Sequence, residues 1–175
     1  MSRNISDEDY RAQKRDLYAL LGEFAAEFEI ICLHMRNGIT MLASQSGLKD
    51  QNIMQAALAE YTAHPLLKVF RSMFMDSKFI NKDIEKNLTE INKRMTALIE
   101  TRNSYIHGTF FVGYGNGTET EFKSANGHKL KNTSKGVRIE RHSIDETTFR
   151  PHIQECHDLA DLVLCTWTKA LLSDF

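Results

Sequence analysis

Arg102, Asn103 and His107 stand within six residues of one another in the stretch ETRNSYIHGTFF, and Gly108 follows directly. Imidazole is the side chain whose proton moves near neutral pH, so a histidine held at a helix end is a candidate general acid. The negative end of a helix dipole favours its protonated form. An arginine on an otherwise apolar seam must be desolvated beside a partner or must face a cleft or an interface, because an unpaired buried guanidinium is very costly. Asn103 and His107 are four apart and share one face of a helix. Arg102 lies about 140° round from His107 at about 100° per residue, so a long side chain or a symmetry-related copy must close the gap. Gly108 suits a left-handed cap position and places His107 in the last helical turn. The plainer reading is that Arg102 and His107 complement the helix C-terminus, as basic residues often do.

Other spacings are less specific. Gly113-Tyr114-Gly115-Asn116-Gly117 lacks the lysine and the following helix of a phosphate loop and reads as a hairpin turn. His152 and Cys156 are four apart, but no second pair at ligand spacing accompanies them, so a core cysteine beside a surface histidine is the better reading. Cys32 and His34 do not share a helix face. His64 belongs to the turn before Pro65. The residues call for no metal and no cofactor.

The elements that hold these residues follow from hydrophobic spacing. Ser6, followed by Asp7, Glu8 and Asp9, opens a helix expected over 7–44 with the stripe Leu17, Leu21, Phe24, Phe28, Ile31, Met35. Shorter helical pieces follow around Ile53 to Tyr61 and Leu66 to Met75, with Pro65 between them. A third long helix over 82–107 carries Ile84, Leu88, Ile91, Met95 and Leu98, and the next step along that seam lands on Arg102. Past Gly108 the period shortens to alternation, and Asn116-Gly117 and Asn126-Gly127 supply hairpin-turn signals, so 109–143 reads as an antiparallel meander. A last helix over 148–173 begins with Pro151 in its first turn and carries Phe149, Ile153, Cys156, Ala160, Val163, Trp167 and Ala170. The expected fold is therefore mainly α: one domain over 1–175, an up-and-down helical bundle with a small antiparallel β meander inserted before the last helix.

The meander is also the most basic stretch. Lys123, Lys129, Lys131, Lys135, Arg138 and Arg141 oppose the single acid Glu140 over 123–142. Such a run either tracks a phosphate backbone or is a solvated hairpin whose lysines discourage edge aggregation. Overall charge is balanced, with 22 basic against 23 acidic residues, so only this local excess points toward nucleic acid. Three cysteines, Cys32, Cys156 and Cys165, each lie in an amphipathic stretch and read as buried free thiols of a reducing compartment. No apolar run reaches the length of a membrane span and no secretory signal pattern is present, so the expected location is the cytoplasm.

Arg102-Asn103-x-x-x-His107-Gly108, closing a long bundle helix, resembles the R-x(4–6)-H signature of the HEPN superfamily. The likeness is specific over about seven residues and architectural elsewhere; the meander departs from the minimal bundle of the small toxin members. What the resemblance implies is a metal-independent endoribonuclease acting as a homodimer on RNA, with two copies of the motif meeting at the interface. His107 would move protons to or from the 2′-hydroxyl or the leaving 5′-oxygen. Arg102 would neutralise charge on the reacting phosphate, Asn103 would orient the histidine or a phosphate oxygen, and the product would be a 2′,3′-cyclic phosphate. Toxin and defence roles, with or without a neutralising partner protein, fall within the same resemblance. The competing reading, from another class, is a non-catalytic HEPN-like module that binds nucleic acid or protein.

Overall fold

The Ser6 hydroxyl accepts from the Asp9 amide at 3.2 Å and donates to the Asp9 carboxylate at 2.7 Å, which caps helix α1, Asp7–Gln45. The computed structural model describes residues 6–112, 125–134 and 136–172. Helix α2, Gln51–Leu58, is capped by Asp50, whose side chain accepts from the Asn52 amide at 2.9 Å. Helix α3 is Ala63–Met75, and Pro65 falls in its first turn, where its missing N–H is an orphan in any case. His64 is consequently helical and does not belong to the preceding turn. Helix α4, Lys82–Ile106, starts at Asn81, whose side chain accepts from the amides of Asp83 and Ile84 at 3.0 Å each.

Among the described residues three antiparallel strands follow: β1, Thr109–Val112; β2, Ala125–Thr133; and β3, Gly136–Ile144, in the order β1-β2-β3. Helix α5, Glu146–Leu172, follows them. The fold is thus mainly α, a helical bundle with a small antiparallel meander before the last helix, as the spacing of apolar residues predicts.

The chain divides into two compact units, with boundaries inside α1, α4 and α5. One comprises Glu27–Ile99 and Glu155–Phe175. Its core is the middle of every seam: Phe28, Ile31, Met35, Ile39, Leu66, Phe70, Phe74, Leu88, Ile91, Met95, Leu159 and Val163 are buried. Each such side chain contributes roughly 1.5–3 kcal/mol by leaving water. His157 lies 3.8 Å from Glu27 and the Trp167 ring lies against Gly38, so α5 here runs in the direction of α1. Arg94 forms a bidentate pair with Glu155 at 2.7 and 2.9 Å, and Lys169 lines a hollow with Asn81 and Ile84, so α4 runs opposite to α5. Among the three thiols, Cys32 and Cys156 are buried but Cys165 is exposed, which corrects the expectation of three buried thiols. Cys165 falls outside the stripe of Cys156, Ala160 and Val163 that faces the core.

The other unit comprises Met1–Ala26 and Glu100–Gln154, and it contains the end of α4, the meander and the start of α5. Among its described residues, Leu17, Leu20, Phe24, Ile144, Phe149 and Ile153 are buried and apolar. Asp145 caps α5, accepting from the Thr148 amide at 2.8 Å, so the helix begins two residues earlier than expected and Pro151 falls in its second turn. Arg150 grips Glu23 with both contacts at 3.0 Å.

The turn signals of the meander behave differently from expectation. Asn126-Gly127 lies inside β2, where Gly127 pairs with Phe110 on one side and with His142 on the other. The reason is steric: a Cβ at Gly127 would collide with the Phe110 ring, so this glycine makes room for an aromatic side chain crossing the strand. The β2–β3 connection falls instead before Gly136, which takes φ +111°, and Thr133 pairs with Gly136 across it. The Asn116-Gly117 signal and the glycine-rich Gly113–Gly117 stretch lie outside the described residues, as do Lys123 and Lys135.

Candidate active site

Arg102 and Asn103 lie near the end of α4 and His107 just beyond it, all within the unit that holds the meander. Ile84, Leu88, Ile91, Met95 and Leu98 are buried, and Arg102, next on that seam, is half-buried. It therefore keeps a solvent-reachable portion on a helix position that is otherwise apolar. Asn103 is also half-buried.

His107 is exposed and stands one residue past the last residue of α4. The expectation that it occupies the last helical turn ahead of a left-handed Gly108 is corrected here. Gly108 is not among the glycines with positive φ; its amide donates to the Tyr105 carbonyl at 3.3 Å, closing a tight turn. Glycine is needed there for space. A Cβ would sit 3.0 Å from the Ser104 carbonyl oxygen and 3.1 Å from the Phe110 ring. The chain thus leaves the helix tightly enough to place His107 outside it and β1 immediately after.

The last turn of α4 carries no basic residue of its own. Its unpaired carbonyls attract a cation from elsewhere: Lys129 of β2 donates from Nζ to the Asn103 carbonyl at 2.7 Å. Sequence spacing alone assigns Lys129 to the basic run; the fold places its half-buried ammonium on the backbone of the candidate site.

Among the described residues, Arg138 and Arg141 do not both join it in one patch. Arg138 and Arg141 are both exposed on β3, but three residues apart on a pleated strand they stand on opposite faces. Lys131 is the register partner of Arg138.

An aromatic cluster, not evident from spacing, walls the same turn. The Tyr105 ring stacks on Phe110 with centroids 6.1 Å apart and meets Phe149 edge-on at 4.8 Å. His152 lies 6.0 Å from Tyr105 and 5.8 Å from Phe149. Burial, and then the nearby Asp145 carboxylate, push the Tyr105 hydroxyl above the usual phenol value, so it stays a neutral group through the physiological range. The available signal was the density of aromatics at 105, 110 and 149, but only the fold brings them to one place.

Comparison with known proteins adds no relative. No family model matches the chain, and no curated protein or solved structure matches it. The likeness to the HEPN signature therefore rests on those seven residues of sequence alone. Among the described residues, no group of three or more His, Cys, Asp or Glu side chains is placed to hold a metal ion, and no helix is long and apolar enough to cross a membrane.

Proposed function

We propose that the protein is an endoribonuclease that works without a metal, as a homodimer, through Arg102 and His107. What supports this reading is a half-buried arginine on the seam of α4 together with an exposed histidine just past the helix end. A guanidinium partly withdrawn from water binds a phosphate more strongly than a solvated one, and its planar fork matches two phosphate oxygens. An exposed imidazole is free to exchange protons with substrate and solvent.

In this reaction the ribose 2′-oxygen attacks phosphorus while its proton passes to a base, the P–O5′ bond breaks, and the leaving 5′-oxygen takes up a proton. A 2′,3′-cyclic phosphate and a 5′-hydroxyl remain. His107 serves as acid or base, Arg102 stabilises charge on the non-bridging oxygens, and Asn103 orients one or the other. One imidazole moves one proton at a time, so a second copy at a shared interface supplies the other proton transfer. The exposed Arg138 and Arg141 are available to RNA from opposite faces of the meander.

The test is incubation of pure protein with mixed structured and single-stranded RNA, with and without EDTA, beside His107→Ala. Cleavage by the parent in EDTA, lost in the variant, is the expected outcome. Equal cleavage by His107→Ala, or loss in EDTA, overturns the mechanism. RNA binding without cleavage by the parent would favour the non-catalytic module instead.

A further inference from the structure

We infer that the meander is the clamp that fixes the end of α4, with Lys129 as a positioning residue for the Arg102–His107 turn. Its consequence for catalysis rests on the ribonuclease reading above; the clamp itself does not.

The last turn of a helix presents carbonyls with no partner in the helix, and it frays unless something holds them. Here Gly108 closes on the Tyr105 carbonyl at 3.3 Å, and Lys129 takes the Asn103 carbonyl at 2.7 Å. No basic residue in the last turn of α4 can do this work. Lys129 also puts a positive charge at the negative end of the helix dipole. A second grip is aromatic. Phe110 of β1 stacks on Tyr105, and Tyr105 meets Phe149 of α5 edge-on at 4.8 Å. Phe110 reaches that seat because its register partner, Gly127, has no side chain.

The two grips come from neighbouring strands in a single register. Lys129 lies two residues along β2 from Gly127, so both residues are on one face of the sheet. Sliding β2 by one residue would remove both contacts together. The insertion that sets this chain apart from a plain bundle therefore holds the backbone on which Arg102, Asn103 and His107 are mounted.

This assigns Lys129 a role unlike that of a phosphate-binding lysine, and the two roles separate experimentally. Lys129→Met keeps the aliphatic stem and removes the donor and the charge; Lys129→Arg restores both in a different shape. The full-length variants would be compared by amide hydrogen exchange in the last turn of α4, and by binding to a single-stranded RNA oligonucleotide over a salt series. The clamp requires Lys129→Met to lose roughly tenfold in exchange protection there, since hydrogen bonds to charged groups are among the stronger ones. Lys129→Arg should recover most of that loss, and RNA affinity and its salt slope should not move.

With a cleaving parent, Lys129→Met should lower kcat and leave KM unchanged. Unaltered protection in Lys129→Met overturns the clamp. Weaker RNA binding with the salt slope reduced by about 1 would identify a phosphate contact instead. A parent that never cleaves RNA defeats the ribonuclease reading, while exchange still decides the clamp.

Discussion

The Phe110 ring crosses the backbone of Gly127, its register partner in the neighbouring strand, and fills the space that a side chain at 127 would need. Phe110 cannot simply swing aside, because its ring also stacks on Tyr105. Gly127→Ala should therefore destabilise the protein by about 1–3 kcal/mol, the usual cost of forcing an extra methyl into a packed site. Shortening the ring as well, in Gly127→Ala with Phe110→Leu, should recover part of the loss. Urea unfolding of the three proteins measures this, and an unaltered midpoint for Gly127→Ala would contradict the placement of Phe110.

Two helical glycines of α1 should respond in opposite senses. Gly22 has open space where a Cβ would go, so Gly22→Ala gains helix propensity and should stabilise by roughly 0.5–1 kcal/mol. At Gly38 a Cβ would sit 2.9 Å from both the Phe70 ring and the Trp167 ring. There the packing cost exceeds the propensity gain, and Gly38→Ala should lose on the order of 1 kcal/mol net. Thermal denaturation of the pair gives the signs directly; two stabilised variants would mean that α1, α3 and α5 do not meet as described.

The three thiols should be distinguishable by reactivity and by pH. Burial, then Glu27, Glu155 and Cys32, push the Cys156 thiol up from an ordinary 9.0 to about 12. Thiolate is the nucleophile, so in native protein near neutral pH a thiol reagent should modify exposed Cys165 quickly and buried Cys32 and Cys156 slowly. The linkage has a definite sign. Between pH 9 and about 12 the unfolded chain has released this proton and the folded chain retains it. The folded state then binds more protons, and stability falls as pH rises through that window. Cys156→Ala should flatten this part of the stability profile, whatever it costs as a cavity. Rapid modification of all three thiols in native protein would count against the burial of Cys32 and Cys156.

How much of this was legible in the sequence depends on the kind of force involved. The alternating steps of Ile84, Leu88, Ile91, Met95 and Leu98 report a buried face directly, because burial and helical period are both local to the chain. Those residues are buried, and so are their counterparts on α5 from Phe149 to Val163. Asn126-Gly127 misled because glycine serves two purposes, a turn and a close approach. Only Phe110, seventeen residues away, decides which applies. Lys129 was legible as a charge but not as a cap, since its acceptor lies on another element, 26 residues away. Gly108 fits the same pattern: its position at the helix end was readable, yet it answers to crowding by Ser104 and Phe110 and not to a left-handed φ.

Arg102 carries the sharpest test of the proposed ribonuclease mechanism. A lysine preserves its positive charge but not the planar pair of donors that can hold two phosphate oxygens at once. Arg102→Lys should therefore cut cleavage sharply while the helix remains intact, because lysine is an equally good helix former and the position is only half-buried. His107→Ala should lose about 10²–10⁴-fold, the usual contribution of a general acid or base. That variant should also stay folded, since His107 is exposed in the single chain and lies beyond the helix. Placing a 2′-deoxyribose at the scissile position should block the reaction altogether, for it removes the internal nucleophile. Single-turnover rates for both variants, with circular dichroism and sedimentation as controls, complete the comparison. An Arg102→Lys protein that cleaves at the parental rate would show that the guanidinium contributes only charge. Cleavage of the 2′-deoxy substrate would require a different nucleophile and a different reaction.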